Sequence, residues 1–282
     1  LAERSMVLLK NENNKLPLKA ARRIAVIGPM AQNRLHLLGA WSARGREEDA
    51  VSLFAGLENE YRGRAELLYA RGCDFDGEDR SGFREAVAAT AAADVVVLCL
   101  GEKKQWSGEK ASRSTIALPE IQEQLAAELA QTGKPLVLVL SSGRPLELCR
   151  LEPLCGAMVQ MWQPGIRGGN PLAGILSGRI NPSGRLAMTF PRSTGQLPIY
   201  YGDLRPSATT LRRGEKTTVE VSVTNTGGMD GAETVHWFIS DPVYRISRPV
   251  RELKHFEKQP IRRGETRTFR FEIDPEKDLS FT

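Results

Sequence analysis

The run Val95 to Leu100, VVVLCL, most narrows what this chain can fold into. It is too short for a helix, and it lacks the alternation of a strand with one wet face. A short apolar run rich in β-branched side chains predicts a strand covered on both sides. Ile24 to Ile27, Pro135 to Leu140 and Met158 to Met161 read the same way, and Glu66 to Tyr69 reads as a further strand. Helical periodicity lies between them, over Val51 to Tyr61, Phe83 to Ala93 and Gly169 to Leu176. Another helix opens at Pro119, repeats Ile121, Leu125 and Leu129 at four-residue spacing, and closes at Gly133. Strands alternating with helices predict an α/β domain with a mostly parallel sheet, helices on both faces and strand 95–100 at its centre. The segment Leu1 to Lys10 reads as a helix with Leu1, Met6, Val7 and Leu8 or Leu9 on one side.

The pattern changes after Tyr201. From Thr217, Val219, Val221 and Val223 alternate with Thr218, Glu220 and Ser222, and a turn is expected at Asn225-Thr226-Gly227-Gly228. Val235, Trp237 and Ile239 continue the alternation, as do Phe269, Phe271 and Ile273. Period-two patterning of this kind predicts an all-β sandwich. The expected division is therefore a lead-in over 1–19, an α/β domain over 20–201 and a β-sandwich over 202–282.

Charge and cysteine content remove several function classes. The 39 basic and 34 acidic residues of the 282 are mixed along the chain, without the basic runs interleaved with aromatics that a nucleic-acid binder carries. No apolar stretch approaches bilayer-spanning length, and LAERSMVLLK lacks the layout of a signal peptide. Gly28 is not part of a GxGxxG run, so a nucleotide-binding reading of the α/β domain loses its main support. Cys73, Cys99, Cys149 and Cys155 form no paired CxxC pattern, and His36, His236 and His255 fall far apart. We therefore expect free thiols, no metal and no cofactor, with a Cys149 to Cys155 bridge left open.

The loop behind the central strand carries the chemistry-bearing residues. Gly101 ends the strand, and Glu102 and Glu109 follow with Trp106, Lys103, Lys104, Lys110 and Arg113 among them. Loops at the carboxyl ends of parallel strands open onto the crevice where α/β proteins bind ligands. On composition alone a solvated, charged surface loop is the competing reading.

GEKKQWSGEKASRSTIALP resembles the segment of glycoside hydrolase family 3 in which a Gly-Glu closing a strand is followed, seven residues after that Glu, by the acid/base Glu. Other stretches resemble the family in the same order: RSMVLLKNENNKLPL, IAVIGP, LLGAWS, GKPLVLVLSSGRPL and NPSGRLAMTFPRSTGQLPIYY. VSVTNTGGMDGAETV and SRPVRELKHFEK resemble the fibronectin type III-like domain that ends many of its members. The likeness is strongest to bacterial periplasmic β-glucosidases of the family. It implies a six-stranded α/β sandwich, a retaining hydrolase acting on a β-glucoside or oligosaccharide, and a periplasmic or secreted location. It also implies that Glu109 is the catalytic acid/base; Glu102, at the strand end, is expected to orient the loop by accepting backbone N–H bonds and not to react.

Trp41, Trp106 and Arg113 are candidate substrate contacts. Packing is the alternative for each tryptophan, and pairing with Glu109, Glu102 or a loop carbonyl is the stronger reading of Arg113. Close relatives carry Asp where Thr115 stands. No segment resembles the family's N-terminal barrel with its nucleophilic Asp. The segment that relatives carry between Tyr201 and Leu204, and the last strands of the sandwich, also have no counterpart. The resemblance therefore implies the C-terminal part of an enzyme whose barrel lies upstream or in another chain. A carbohydrate-binding or scaffolding module without turnover is the alternative.

Overall fold

The computed structural model describes residues 1–191, 207, 210–212, 214–225, 230–239 and 252–278. It divides into two compact units, residues 1–199 and 200–282. The expected boundary near Tyr201, most of the turn at Asn225 to Gly228 and the terminal Ser280 to Thr282 lie outside the described residues.

The first unit is built on six strands: β1 (Val7–Asn11), β2 (Arg23–Ile27), β3 (Glu66–Ala70), β4 (Val95–Gly101), β5 (Leu136–Ser141) and β6 (Ala157–Gln160). Their order is β1-β6-β5-β4-β2-β3, parallel except for β1, which pairs antiparallel with β6. The central strand separates its side chains as a doubly covered strand must. Val95, Val97 and Cys99 enter one core with helices α2 (Leu53–Tyr61) and α5 (Gly169–Ser177). Val96, Leu98 and Leu100 enter the other with α3 (Phe83–Ala92) and α4 (Glu120–Ala130). Every residue of β4 and β5 is buried, so the apolar runs are continuous because neither face meets water.

The opening segment corrects the sequence reading. Only Ala2–Ser5 is helical, as α1, and Val7–Asn11 is an edge strand. Val7 pairs with Gln160 and Asn11 with Ala157, with a bulge between Leu8 and Lys10, and the Glu12 N–H continues onto the Gly156 carbonyl at 2.8 Å. Four apolar residues in a row satisfy a helix face or a strand equally well. The free edge of β6 decides, a partner remote in sequence. The other helices agree with the periodicity to within two residues. Ser52 caps α2 by accepting from the Ala55 N–H at 3.1 Å, which places the start of that helix two residues after Val51.

Helices α2 and α5 meet backbone to backbone. A Cβ on Gly56 would lie 2.2 Å from the Gly169 carbonyl oxygen, and one on Gly169 would lie 2.1 Å from the Ser52 carbonyl oxygen. Both atoms struck are backbone and cannot rotate away. Gly56→Ala is therefore expected to destabilise this unit by about 1–3 kcal/mol, in spite of alanine's better helix propensity. Urea unfolding would check this, and an unchanged or raised midpoint would show that the two helices can slide apart without loss.

The second unit has two antiparallel pairs. Strand β7 (Thr217–Thr224) pairs with β10 (Thr266–Ile273), and β8 (Gly231–Ile239) pairs with β9 (Glu252–Ile261). Val219, Trp237, Ile261 and Phe269 form its core, with Val221, Val223, Val235, Phe271 and Ile273 packed against them. These are the inward positions that the alternation selects, without Ile239 and with Ile261 of β9 added.

Candidate active site

Five strands point their carboxyl ends the same way, and six of the buried polar side chains of this unit gather at that edge. His36, Glu102, Gln122, Ser141, Ser142 and Gln160 are all buried there. Each buried polar group needs a partner, and their bonds show what the edge is built to hold. Gln122, on α4, receives the Gly101 N–H at 3.0 Å and donates to the carbonyls of Gly101 at 2.9 Å and Phe75 at 2.8 Å. It fixes the end of β4. Ser142 Oγ donates to the Arg144 carbonyl at 2.7 Å and receives Gln160 Nε2 at 2.9 Å, which fixes the loop leaving β5. His36 Nδ1 accepts from the Lys104 N–H at 3.4 Å, at the start of the loop after β4. Burial, and then Lys103 and Lys104, lower the pKa of this imidazole, which favours the neutral ring that can accept.

Glu102 sits at the root of the loop with a fully buried carboxylate. Arg113 donates to it at 2.7 Å, Arg144 Nε lies 3.4 Å from its other oxygen, and the Gly143 N–H also bonds to it. Burial pushes the carboxyl's pKa up, opposed by Arg144, Arg113 and that N–H. The expected loop-orienting carboxylate is thus held mainly by two guanidinium groups and by one backbone N–H.

Glu109 is exposed at the tip of the same loop, between Gly108 at φ 111° and Lys110 at φ 60°. Among the described residues its side chain makes no hydrogen bond or ion pair. Two left-handed residues around it form a tight turn that projects its side chain from the loop. Trp41 is 76% exposed, and its Nε1 would lie 3.7 Å from a Cβ on Gly108, so the free indole stands beside the residue preceding Glu109.

Trp106 is placed differently. Its ring packs against the core, with the guanidinium of Arg113 4.9 Å and the ammonium of Lys103 5.4 Å from its centroid. Arg113 also donates to the Ala117 carbonyl at 3.3 Å. The structure therefore brings Glu102, Trp106 and Arg113 into one cluster and leaves Glu109 and Trp41 open beside it. Thr115 accepts the Ala117 N–H at 3.2 Å. Trp162, at φ 59°, donates to the Ser5 carbonyl at 3.0 Å and lies 6.1 Å from the Phe190 ring. All four cysteines carry free thiols, which closes the question of a Cys149 to Cys155 bridge.

Sequence reasoning missed Arg144, Gln122, Gln163 and His36. The signal available for Arg144 was its place just after a fully apolar strand, in SSGRP.

Residues 6–226 match the glycosyl hydrolase family 3 C-terminal domain, and residues 233–282 match a fibronectin type III-like domain. The chain belongs to glycosyl hydrolase family 3. Among curated family 3 relatives, it is 35% identical to a periplasmic β-glucosidase of Salmonella typhimurium, a match covering 98% of this chain and 44% of that protein. A β-xylosidase of Formosa agariphila is 33% identical, over 97% of this chain and 44% of that protein. Among solved structures, the β-glucosidase of Listeria innocua in complex with glucose superposes with a TM-score of 0.82 at 35% identity, covering 98% of this chain and 44% of that one. The chain thus spans less than half the length of these relatives. None of the described helices is long and apolar enough to cross a membrane.

Proposed function

We propose that this chain is the C-terminal portion of a retaining β-glucosidase that removes terminal non-reducing β-D-glucosyl residues, and that Glu109 is its general acid/base. One observation carries the reading: the single loop carboxylate at the family's acid/base spacing is projected from a loop otherwise tied to the sheet, free of any partner among the described residues. The nucleophilic carboxylate comes from an N-terminal barrel of the same enzyme or of a separate chain. A retaining enzyme sets its two carboxyl groups about 5–5.5 Å apart.

In the first step the nucleophile bonds to the anomeric carbon while the glycosidic C–O bond breaks, and Glu109 gives its proton to the departing oxygen. In the second step Glu109, now a carboxylate, takes a proton from water as that water's oxygen bonds to the anomeric carbon and frees the nucleophile. Trp41 offers a flat face for the C–H groups of a sugar ring. Arg113 and Trp106, engaged with Glu102 and with each other, border the site and shape it. The reading extends to a periplasmic or secreted enzyme, since the relative from Salmonella typhimurium carries that location in its name.

A lone acid cannot form the glycosyl intermediate. The chain alone is therefore expected to leave 4-nitrophenyl β-D-glucoside and β-D-xyloside uncleaved, while the chain joined to its barrel cleaves the glucoside faster. Turnover by the isolated chain that disappears in Glu109→Gln would mean that its nucleophile lies within these 282 residues. Faster cleavage of the xyloside would reassign the sugar.

A further inference from the structure

The Glu109 side chain has no partner among the described residues, yet both flanks of its turn are tied to the same buried carboxylate. On the C-terminal flank, Arg113 binds Glu102 Oε1 at 2.7 Å with Nη1 and the Ala117 carbonyl at 3.3 Å with Nη2. On the N-terminal flank, Arg144 donates from Nη2 to the Trp106 carbonyl, and its Nε lies 3.4 Å from Glu102 Oε2. That Nε and that Oε2 are buried and make no hydrogen bond among the described residues, so the charge of each is what compensates the other. The side chain of Glu102 is fully buried, and those of Arg113 and Arg144 are 19% and 23% exposed.

Neighbouring contacts seat the same flank. Gln163 Nε2 donates to Ser107 Oγ at 3.1 Å, and a Cβ on Gly143 would come within 2.3 Å of that oxygen. A Cβ on Gly108 would lie 2.8 Å from the Cβ of Ala40. Residues 106–108 are therefore lodged among the loops that follow β2, β5 and β6, and Arg144 ties the backbone of that flank, at the Trp106 carbonyl, to the carboxylate that anchors the other, while Arg113 meets only the Trp106 ring.

We infer that Arg144 is a positioning residue for Glu109, an inference that rests on the acid/base reading of that glutamate. The planar guanidinium presents donors in a fixed fork, so one side chain reaches the carboxylate and the Trp106 carbonyl together. Lysine offers a point charge on a flexible stem and cannot hold both at a set distance. With Arg144 in place the distance between the Glu102 anchor and residue 106 is fixed, and the turn that carries Glu109 is fixed with it. Proton transfer to a leaving oxygen depends steeply on placement, and a displacement of about 1 Å is worth about a hundredfold in rate.

Two measurements separate this inference from the reading beneath it. The first uses the chain as it stands. In Arg144→Met, amide hydrogen exchange over residues 103–112 is expected to speed up about tenfold or more, while β4 and β5 keep their protection. Unchanged exchange in the loop, or an equal rise in the strands, overturns the inference. Arg144→Lys supplies the same readout if the methionine variant fails to fold.

The second measurement uses the chain joined to its barrel. Arg144→Lys is expected to lower kcat on alkyl β-glucosides by about a hundredfold. KM stays within about twofold, and activated nitrophenyl glucosides are affected far less, because misplacement hurts most where proton donation matters. Glu109→Gln, measured alongside, tests the acid/base reading by itself. If Glu109→Gln shows the leaving-group dependence and Arg144→Lys does not, the positioning role is wrong. If Glu109→Gln shows none, the acid/base assignment fails, and the positioning role fails with it.

Discussion

Glu109→Ala in the assembled enzyme should slow the cleavage of alkyl β-glucosides by about 10²–10⁴-fold, the usual span for losing a positioned general acid. Nitrophenyl glucosides should be affected much less in their first step, since their leaving group departs without a proton. Added azide should restore turnover by attacking the glycosyl intermediate that has lost its base. The melting temperature should not move, because the Glu109 side chain is exposed and has no bond among the described residues. This combination of a large kinetic loss, chemical rescue and unchanged stability is specific to a residue that acts on the reacting atoms. If azide rescues Glu102→Ala and leaves Glu109→Ala unchanged, the two glutamates have been given each other's roles.

Glu102→Ala should produce the opposite pattern. It removes a fully buried carboxylate and leaves Arg113 and Arg144, 19% and 23% exposed, facing each other without their shared anion. Breaking a buried charge pair from one side costs about 3–5 kcal/mol, because the remaining charge stays desolvated. For a unit of this size that lowers the melting temperature by on the order of 10 °C. All substrates should be slowed together, and azide should rescue nothing. Glu102→Gln keeps the shape and removes the charge, so it should fall between wild type and the alanine variant. A Glu102→Ala protein melting within about 1 °C of wild type would show that the two arginines find other partners, and that the carboxylate does not hold the loop together.

The two glutamates stand on one short stretch and differ only in what surrounds them. Glu102 follows a strand whose every residue is buried, so its carboxylate starts inside the protein and must be compensated there. Glu109 lies beyond the short 3-10 turn Lys104–Trp106 and between two residues of positive φ, so its side chain is carried out of the packed edge. The same side chain is a buried anchor in one place and an exposed carboxyl group in the other.

Much of this was written in local sequence. Unbroken apolar runs at 95–100 and 135–140 have no stable use except as doubly covered strands. The four-residue spacing from Ile121 to Leu129 puts one face of α4 in the core, and the alternation at Val219 to Val223 and Phe269 to Ile273 builds the second unit. These features were legible because each is a periodicity, and a periodicity is a property of neighbours along the chain. Three things were decided only in the folded molecule. The edge strand Val7–Asn11 exists because β6 offers it an unpaired backbone. The buried side chain of Gln122 is spent on the ends of β4 and of residue 75, a role that nothing in its helical context announces. Arg144 reaches the Trp106 carbonyl across 38 positions of sequence, because parallel strands β4 and β5 end side by side and deliver their loops to one edge. Sequence sets which segments must be buried and with what period. Which polar groups meet at the edge of the sheet depends on strand order, and strand order exists only once the chain has folded.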